Sequence, residues 1–211
     1  METGEVIALS GGDAGVQGAC VPCHGLSGEG DGMLAPRLAG SDPGHFVRQM
    51  DNFPNGQRRH AQMSWIAARL DRRARLRVAD YYAGLPVPPN TDTELDADLC
   101  RAAMLYHRGD PQRGIEACSV CHGDAGDGMG HGNPPLAGQP APYLAAQLRA
   151  WRSGERYGDP FGTMLGISRL LAESELEYLA GYSAALQGAS GNPGPPEACL
   201  PERRSVPRNG A

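Results

Sequence analysis

Two short runs carry the chemistry: Cys20-Val21-Pro22-Cys23-His24 and Cys118-Ser119-Val120-Cys121-His122. Two thiols at this spacing can add to the two vinyl groups of one haem and become thioethers, and the adjacent imidazole is then held under the iron as one axial ligand. Other uses of Cys-x-x-Cys fit less well. A zinc ribbon wants its two cysteine pairs about 15–20 residues apart, whereas these lie in separate halves of the chain and are each followed by a histidine that a ribbon does not need. A thioredoxin-like redox pair would sit in a βαβ pattern, and the sequence has no alternating strand runs. Two covalently bound haem c groups are therefore expected, attached through Cys20, Cys23, Cys118 and Cys121, with His24 and His122 on iron.

The elements that would position these groups occur twice. At an offset of 98, Cys20, Cys23 and His24 fall on Cys118, Cys121 and His122. Pro36, Leu38, Ala39 and Gly40 fall on Pro134, Leu136, Ala137 and Gly138. Phe46, Gln49 and Met50 fall on Leu144, Gln147 and Leu148, and Arg58 on Arg156. Three residues then enter the second copy, and Met63, Ile66, Leu70 and Tyr81 meet Met164, Ile167, Leu171 and Tyr182. The unit is too long for a solenoid repeat and is read as a small domain with its own cofactor. A six-coordinate iron needs a ligand opposite the histidine, and a thioether favours ferrous iron and raises the potential. Met63 and Met164 are the expected ligands. Met33 and Met129 also pair, but they lie too near the haem histidine for the chain to reach the far face.

The expected organisation is a first domain over 1–86, a Pro/Asp-rich linker over 87–98, a second domain over 99–187 and an irregular tail over 188–211. Helices are predicted at 4–9, 43–53, 71–84, 98–108, 140–152 and 172–186, from apolar residues at helical spacing, with no strands. An all-α fold wrapped around cofactors suits a chain with 30 Gly, 18 Pro and only 6% aromatic residues, because each macrocycle supplies core that the side chains do not. The net charge is −5, with 19 Arg and no Lys, and no basic field suggests a nucleic-acid partner. No apolar run is long enough to be a transmembrane segment. The N-terminus lacks the basic and apolar regions of a signal peptide. Covalent haem attachment in bacteria takes place outside the cytoplasm, so a periplasmic protein whose leader is absent from this sequence is expected. His45, His60, His107 and His131 have no partner across the repeat and are read as surface residues. Arg69, Arg72, Arg73, Arg75 and Arg77 face Glu173, Glu175 and Glu177 across the repeat. They give either two ordinary solvated faces or a molecule whose opposite charges orient its partners.

Taken together, Cys-x-x-Cys-His-Gly, Pro-x-Leu-Ala-Gly, the helix with Gln147-Leu148, Gly-x-Arg, the methionine and the closing helix with its tyrosine resemble the cytochrome c4 family over about residues 4–187. Ser41 stands in the first copy where the second has Gln139. The resemblance implies two tandem class I cytochrome c domains with His/Met ligation, the carbonyls of Pro36 and Pro134 as acceptors for the ligand imidazoles, and electron delivery in a periplasmic respiratory chain. The donor would be a quinol:cytochrome c reductase or a dehydrogenase, and the acceptor a terminal oxidase. Related di-haem chains serve as electron-accepting subunits of dehydrogenases. Arg58 and Arg156 could neutralise haem propionates. In such domains the first and last helices cross, so Cys100 and Cys199 could join as a disulfide; the alternative is a thiolate ligand to iron. With both methionine positions filled, an electron carrier is expected rather than a di-haem oxidoreductase acting on peroxide or a sulfur compound.

Overall fold

The computed structural model describes residues 2–88, 97–130, 132–188 and 194–200. Each copy of the repeat contributes five helices in the same order. The first copy gives α1 (Gly4–Ser10), α2 (Val21–His24), α3 (Pro43–Asn52), α4 (Ala61–Ala67) and α5 (Arg72–Ala83). The second gives α6 (Ala97–Arg108), α7 (Ser119–His122), α8 (Ala141–Ser153), α9 (Thr163–Leu170) and α10 (Glu173–Ala185). Several starts are set by side-chain caps. The Asp42 carboxylate accepts from His45 N (2.6 Å) ahead of Pro43 at the first turn of α3, and that of Asp71 accepts from Ala74 N (2.7 Å) at the head of α5. No strand occurs among the described residues, as the mostly helical reading predicts. The six predicted helices are present with ends displaced by a residue or two. The sequence reading missed α4 and α9, the helices in which Met63 and Met164 lie. The linker predicted over 87–98 ends earlier, because α6 already begins at Ala97; residues 89–96 lie outside the described set.

In each half the first and last helices pack together, α1 on α5 and α6 on α10, with α3 or α8 against the last helix. Gly4 permits the first crossing: a β-carbon there would lie 2.0 Å from the Arg77 carbonyl. Size is exchanged between the helices of the two crossings. In the first, Ala8 on α1 and Tyr82 on α5 are fully buried. At the equivalent places in the second, Tyr106 on α6 is fully buried and Ser183 on α10 is 6% exposed. One large ring is kept per crossing, so the packed volume is retained while its donor helix changes. The first core gathers Ile7, Phe46, Met50, Phe53, Ile66 and Val78; the second gathers Ala103, Tyr106, Leu171, Leu176 and Tyr182.

The tail is less irregular than its composition suggests. Glu197–Cys199 forms a 3-10 turn against α6, and Cys199 is disulfide-bonded to Cys100 with a Cα–Cα distance of 5.0 Å. The thiolate-ligand alternative is thereby removed, since both sulfurs are used.

The acids of α10 are not a free face. Arg149 holds Glu173 (2.8 Å) and Glu177 (2.6 Å). Arg113 donates to Glu175 (2.9 and 2.8 Å) and to Asp110 (2.7 Å). The Arg113 guanidinium holds both carboxyls below the usual carboxylate range. A depressed folded-state pKa adds stability above the unfolded value, and that stability is lost as pH falls through the folded one. Arg113→Leu is therefore expected to lower the denaturant midpoint of the second half at pH 7, with the difference from the parent vanishing in acid below the carboxylate range. An equal difference at both pH values would disprove the linkage.

Candidate haem sites and the interface between them

Each Cys-x-x-Cys-His run folds as one helical turn that ends on a left-handed glycine, Gly25 or Gly123, both at φ 80°. A side chain is rarely tolerated there, and the turn brings the two sulfurs and the imidazole to one side. His24 and His122 are 7% and 8% exposed. Nδ1 of His24 donates to the Pro36 carbonyl at 2.9 Å, and Nδ1 of His122 to that of Pro134 at 2.9 Å. A carbonyl only accepts, so the proton sits on Nδ1 and Nε2 keeps its lone pair. Burial lowers the pKa of both imidazoles, with the carbonyl bond acting in the opposite sense, which favours the neutral, metal-binding form. Burial also pushes the thiols of Cys20 and Cys118 up to about 11.

A cavity of about 460 Å³ opens beside the first motif, lined by Cys20, Cys23, His24, Met63 and the apolar faces of Phe46, Phe53 and Ile66. A second, of about 130 Å³, is lined by Cys118, Cys121, His122, Met164, Leu148, Trp151 and Ile167. The walls correspond position by position across the repeat, although the second is folded more tightly. Met33 and Met129 line neither cavity and are 59% and 55% exposed. The donor set in each apolar cavity, two thiols, an imidazole with its Nδ1 already tied and a thioether, fits a covalently held haem. It does not fit zinc: no group of three or more His, Cys, Asp or Glu side chains gathers as a metal site among the described residues.

The methionine amides are held by different side chains. Met63 N donates to His60 Nδ1 at 3.2 Å, and Met164 N to the Asp159 carboxylate at 2.7 Å. Asp159 belongs to the region where the second copy gains three residues, at whose tip Phe161 is fully exposed with φ 59°. Nothing in the pairing of the repeat pointed to Asp159.

The two halves meet along a buried polar seam. Arg58 and Arg156 form an antiparallel bridge, and Tyr157 N donates to the Gln57 carbonyl at 2.7 Å. Arg58 donates to Gln49 (3.1 Å), Gln147 (3.0 Å) and the Tyr143 hydroxyl (2.9 Å). Arg156 donates to Gln147 (2.8 Å) and Gln49 (2.7 Å). Both arginines, 9% and 4% exposed, are thus interface residues that bind both glutamines, and neither is a solvated surface side chain. Neither forms an ion pair with a carboxylate among the described residues. Burial, then the like charge of Arg58, pushes the pKa of Arg156 well below its usual value, the condition of a site short of negative charge. Gln139 accepts from Arg37 N (3.0 Å) and donates to the Arg37 carbonyl (2.9 Å). Ser41, at the equivalent place in the first copy, is short; there Arg37 crosses instead and donates to the Ala137 carbonyl (2.7 Å).

Two histidines read as surface residues are not. The His107 ring, 2% exposed, lies beneath Asp124 with Nε2 2.8 Å from the Tyr182 hydroxyl. His45 is drawn inside because α3 packs at the seam, where it lines both cavities. His60 is exposed, and His131 lies outside the described residues. The matched pair Gln49 and Gln147 was the sequence signal for the seam; its meaning depended on the halves facing each other.

Two helical bundles, each with one Cys-x-x-Cys-His turn beside an apolar cavity, define a di-haem c-type cytochrome. No protein-family model matches the chain. It is 36% identical over 183 residues to cytochrome c4 of Thiocapsa roseopersicina, covering 85% of this chain and 91% of that protein, and it belongs to the cytochrome c4 family. It is also 39% identical over 183 residues to a thiosulfate dehydrogenase electron acceptor of Stutzerimonas stutzeri, covering 86% and 85%. A solved thiosulfate dehydrogenase from Marichromatium purpuratum superposes with a TM-score of 0.78 at 40% identity, over 95% of this chain and 44% of that longer chain.

Proposed function

We propose that the chain is a periplasmic electron acceptor for a dehydrogenase that oxidises thiosulfate, taking electrons singly and passing them to a respiratory partner. Residues 1–86 and 99–187 each hold one haem c. The observation that carries the reading is the sharing of walls between the two cavities: His45, Pro134, Pro135, Gln139, Tyr143, Gln147 and Arg156 line both. Haems held in these cavities would have one protein seam in common, through which an electron could pass. The likeness to acceptor proteins over most of both chains supports the choice of donor.

When bound, each haem supplies a one-electron ferric/ferrous couple. The protein does the rest. Cys20 and Cys23, or Cys118 and Cys121, anchor the ring. The Pro36 and Pro134 carbonyls hold His24 and His122 by Nδ1, which would leave Nε2 for iron. Met63 and Met164 would complete ligation, which favours the ferrous state and leaves substrate no open metal site. Arg58 and Arg156, beside Gln49 and Gln147, would offset haem propionate charge at the seam.

Docking is assigned to the exposed arginines of the first bundle. Arg69 stacks on Trp65 (4.0 Å), and Arg73 and Arg77 make no ion pair among the described residues. The corresponding acids of α10 are occupied by Arg113 and Arg149, so the charge asymmetry is a basic face without an acidic counterpart.

The test mixes the oxidised holoprotein with thiosulfate, with and without a thiosulfate dehydrogenase, and follows the haem absorption. Reduction is expected only with the enzyme present, at a rate that falls steeply as ionic strength rises. Reduction and turnover by thiosulfate alone would make the chain itself the enzyme. A rate indifferent to salt would remove the basic face from docking.

A further inference from the structure

His45 occupies on α3 the place that Tyr143 occupies on α8. The Tyr143 hydroxyl accepts from Arg58 across the seam (2.9 Å). The shorter imidazole makes no such bond, and its Nδ1 is buried without a partner. Around it stand Arg156, Arg58 and Arg48. Arg156 and Arg58 donate to Gln49, Gln147 and Tyr143, and Arg48 to the Gly132 carbonyl (2.7 Å). Burial, reinforced by these cations, pushes the His45 pKa well below its ordinary value, so the ring is neutral and carries one N–H. A buried polar atom left unpaired is costly, and the protein gives Nδ1 no partner.

We propose that His45 donates a hydrogen bond to a haem carboxylate at the wall shared by the two cavities, and that it thereby makes the two haems unequal in reduction potential. This rests on the haem assignment above. The repeat is otherwise nearly symmetric here, with Gln49 matched by Gln147 and Arg58 by Arg156. Tyr143 is tied to Arg58, whereas His45 Nδ1 is tied to nothing, so the imidazole is the group that departs from the symmetry of the seam. A donated hydrogen bond withdraws negative charge from the carboxylate. That reduces the stabilisation of ferric iron, and the haem so contacted is the more readily reduced. His45 acts through the carboxylate and is a positioning residue; it does not touch iron.

The experiment compares the holoprotein with its His45→Leu and His45→Gln variants. Mass spectrometry first establishes that each carries two covalent haems. Failure at that step in the parent itself would refute the haem assignment, separately from the role of His45. Spectroelectrochemical titration then resolves two one-electron couples. In His45→Leu the equilibrium constant for reducing one haem is expected to fall about threefold or more, roughly 28 mV for a one-electron couple, with the other haem moving less. His45→Gln, which keeps an N–H donor, is expected to recover most of the shift. In the 15N-labelled parent the His45 ring N–H is expected to be protected from solvent exchange. Two unchanged potentials in a fully loaded His45→Leu protein, or equal shifts in the leucine and glutamine variants, would overturn the proposal.

Discussion

Met63→Ala and Met164→Ala are each expected to leave one ferrous haem open to carbon monoxide and to lower its potential by on the order of 0.1 V or more, within the roughly 0.8 V over which axial ligands move haem potentials. The parent should bind carbon monoxide at neither haem. The direction follows from chemistry: a thioether holds ferrous iron better than water does. Both methionines lie in short helices beside the haem cavities, with their amides tied to His60 and Asp159. Met33→Ala and Met129→Ala are the controls. Their side chains are exposed and line neither cavity, so both changes should leave spectrum and potential untouched. Carbon monoxide binding by the parent, or a potential shift in the controls comparable to that of Met63→Ala, would sink the ligand assignment and revive a catalytic open site.

The second large effect is on stability. Replacing Cys100 and Cys199 together by serine is expected to cost about 2–5 kcal/mol, on the order found when a disulfide closing a long loop is removed. The bridge spans 99 residues and encloses almost the whole second bundle. It also holds the 3-10 turn at Glu197–Cys199 against α6, where Cys199 packs on the second core. The loss should be confined to one of two unfolding steps, read by the haem absorption of the second bundle against denaturant. In the parent a free-thiol assay should find no reactive cysteine once both haems are attached. An unchanged midpoint in the double serine protein would show that the tail contributes nothing to the fold.

Much of this was legible in the chain. Cys-x-x-Cys-His is a local motif: the sulfurs and imidazole are brought together by one turn, so their chemistry needs no tertiary information. The repeat then paired Met63 with Met164, each of which lines its own cavity, because two copies of one fold place equivalent side chains in equivalent surroundings. Helices such as α3 and α8 were readable from apolar spacing. The helices α4 and α9 were not, since at seven and eight residues they are too short to show a period.

What only the tertiary structure decided is whatever lies between the two copies. A repeat says that Arg58 matches Arg156 and Gln49 matches Gln147; it does not say that the four meet. The seam turns surface-like residues inward, which is why His45 was misread. His107 was misread for a related reason, the packing of α6 on α10. The exchange of Tyr82 and Ala8 for Ser183 and Tyr106 has the same origin. Packing conserves volume across a contact, and a contact is made of two segments that the sequence keeps apart.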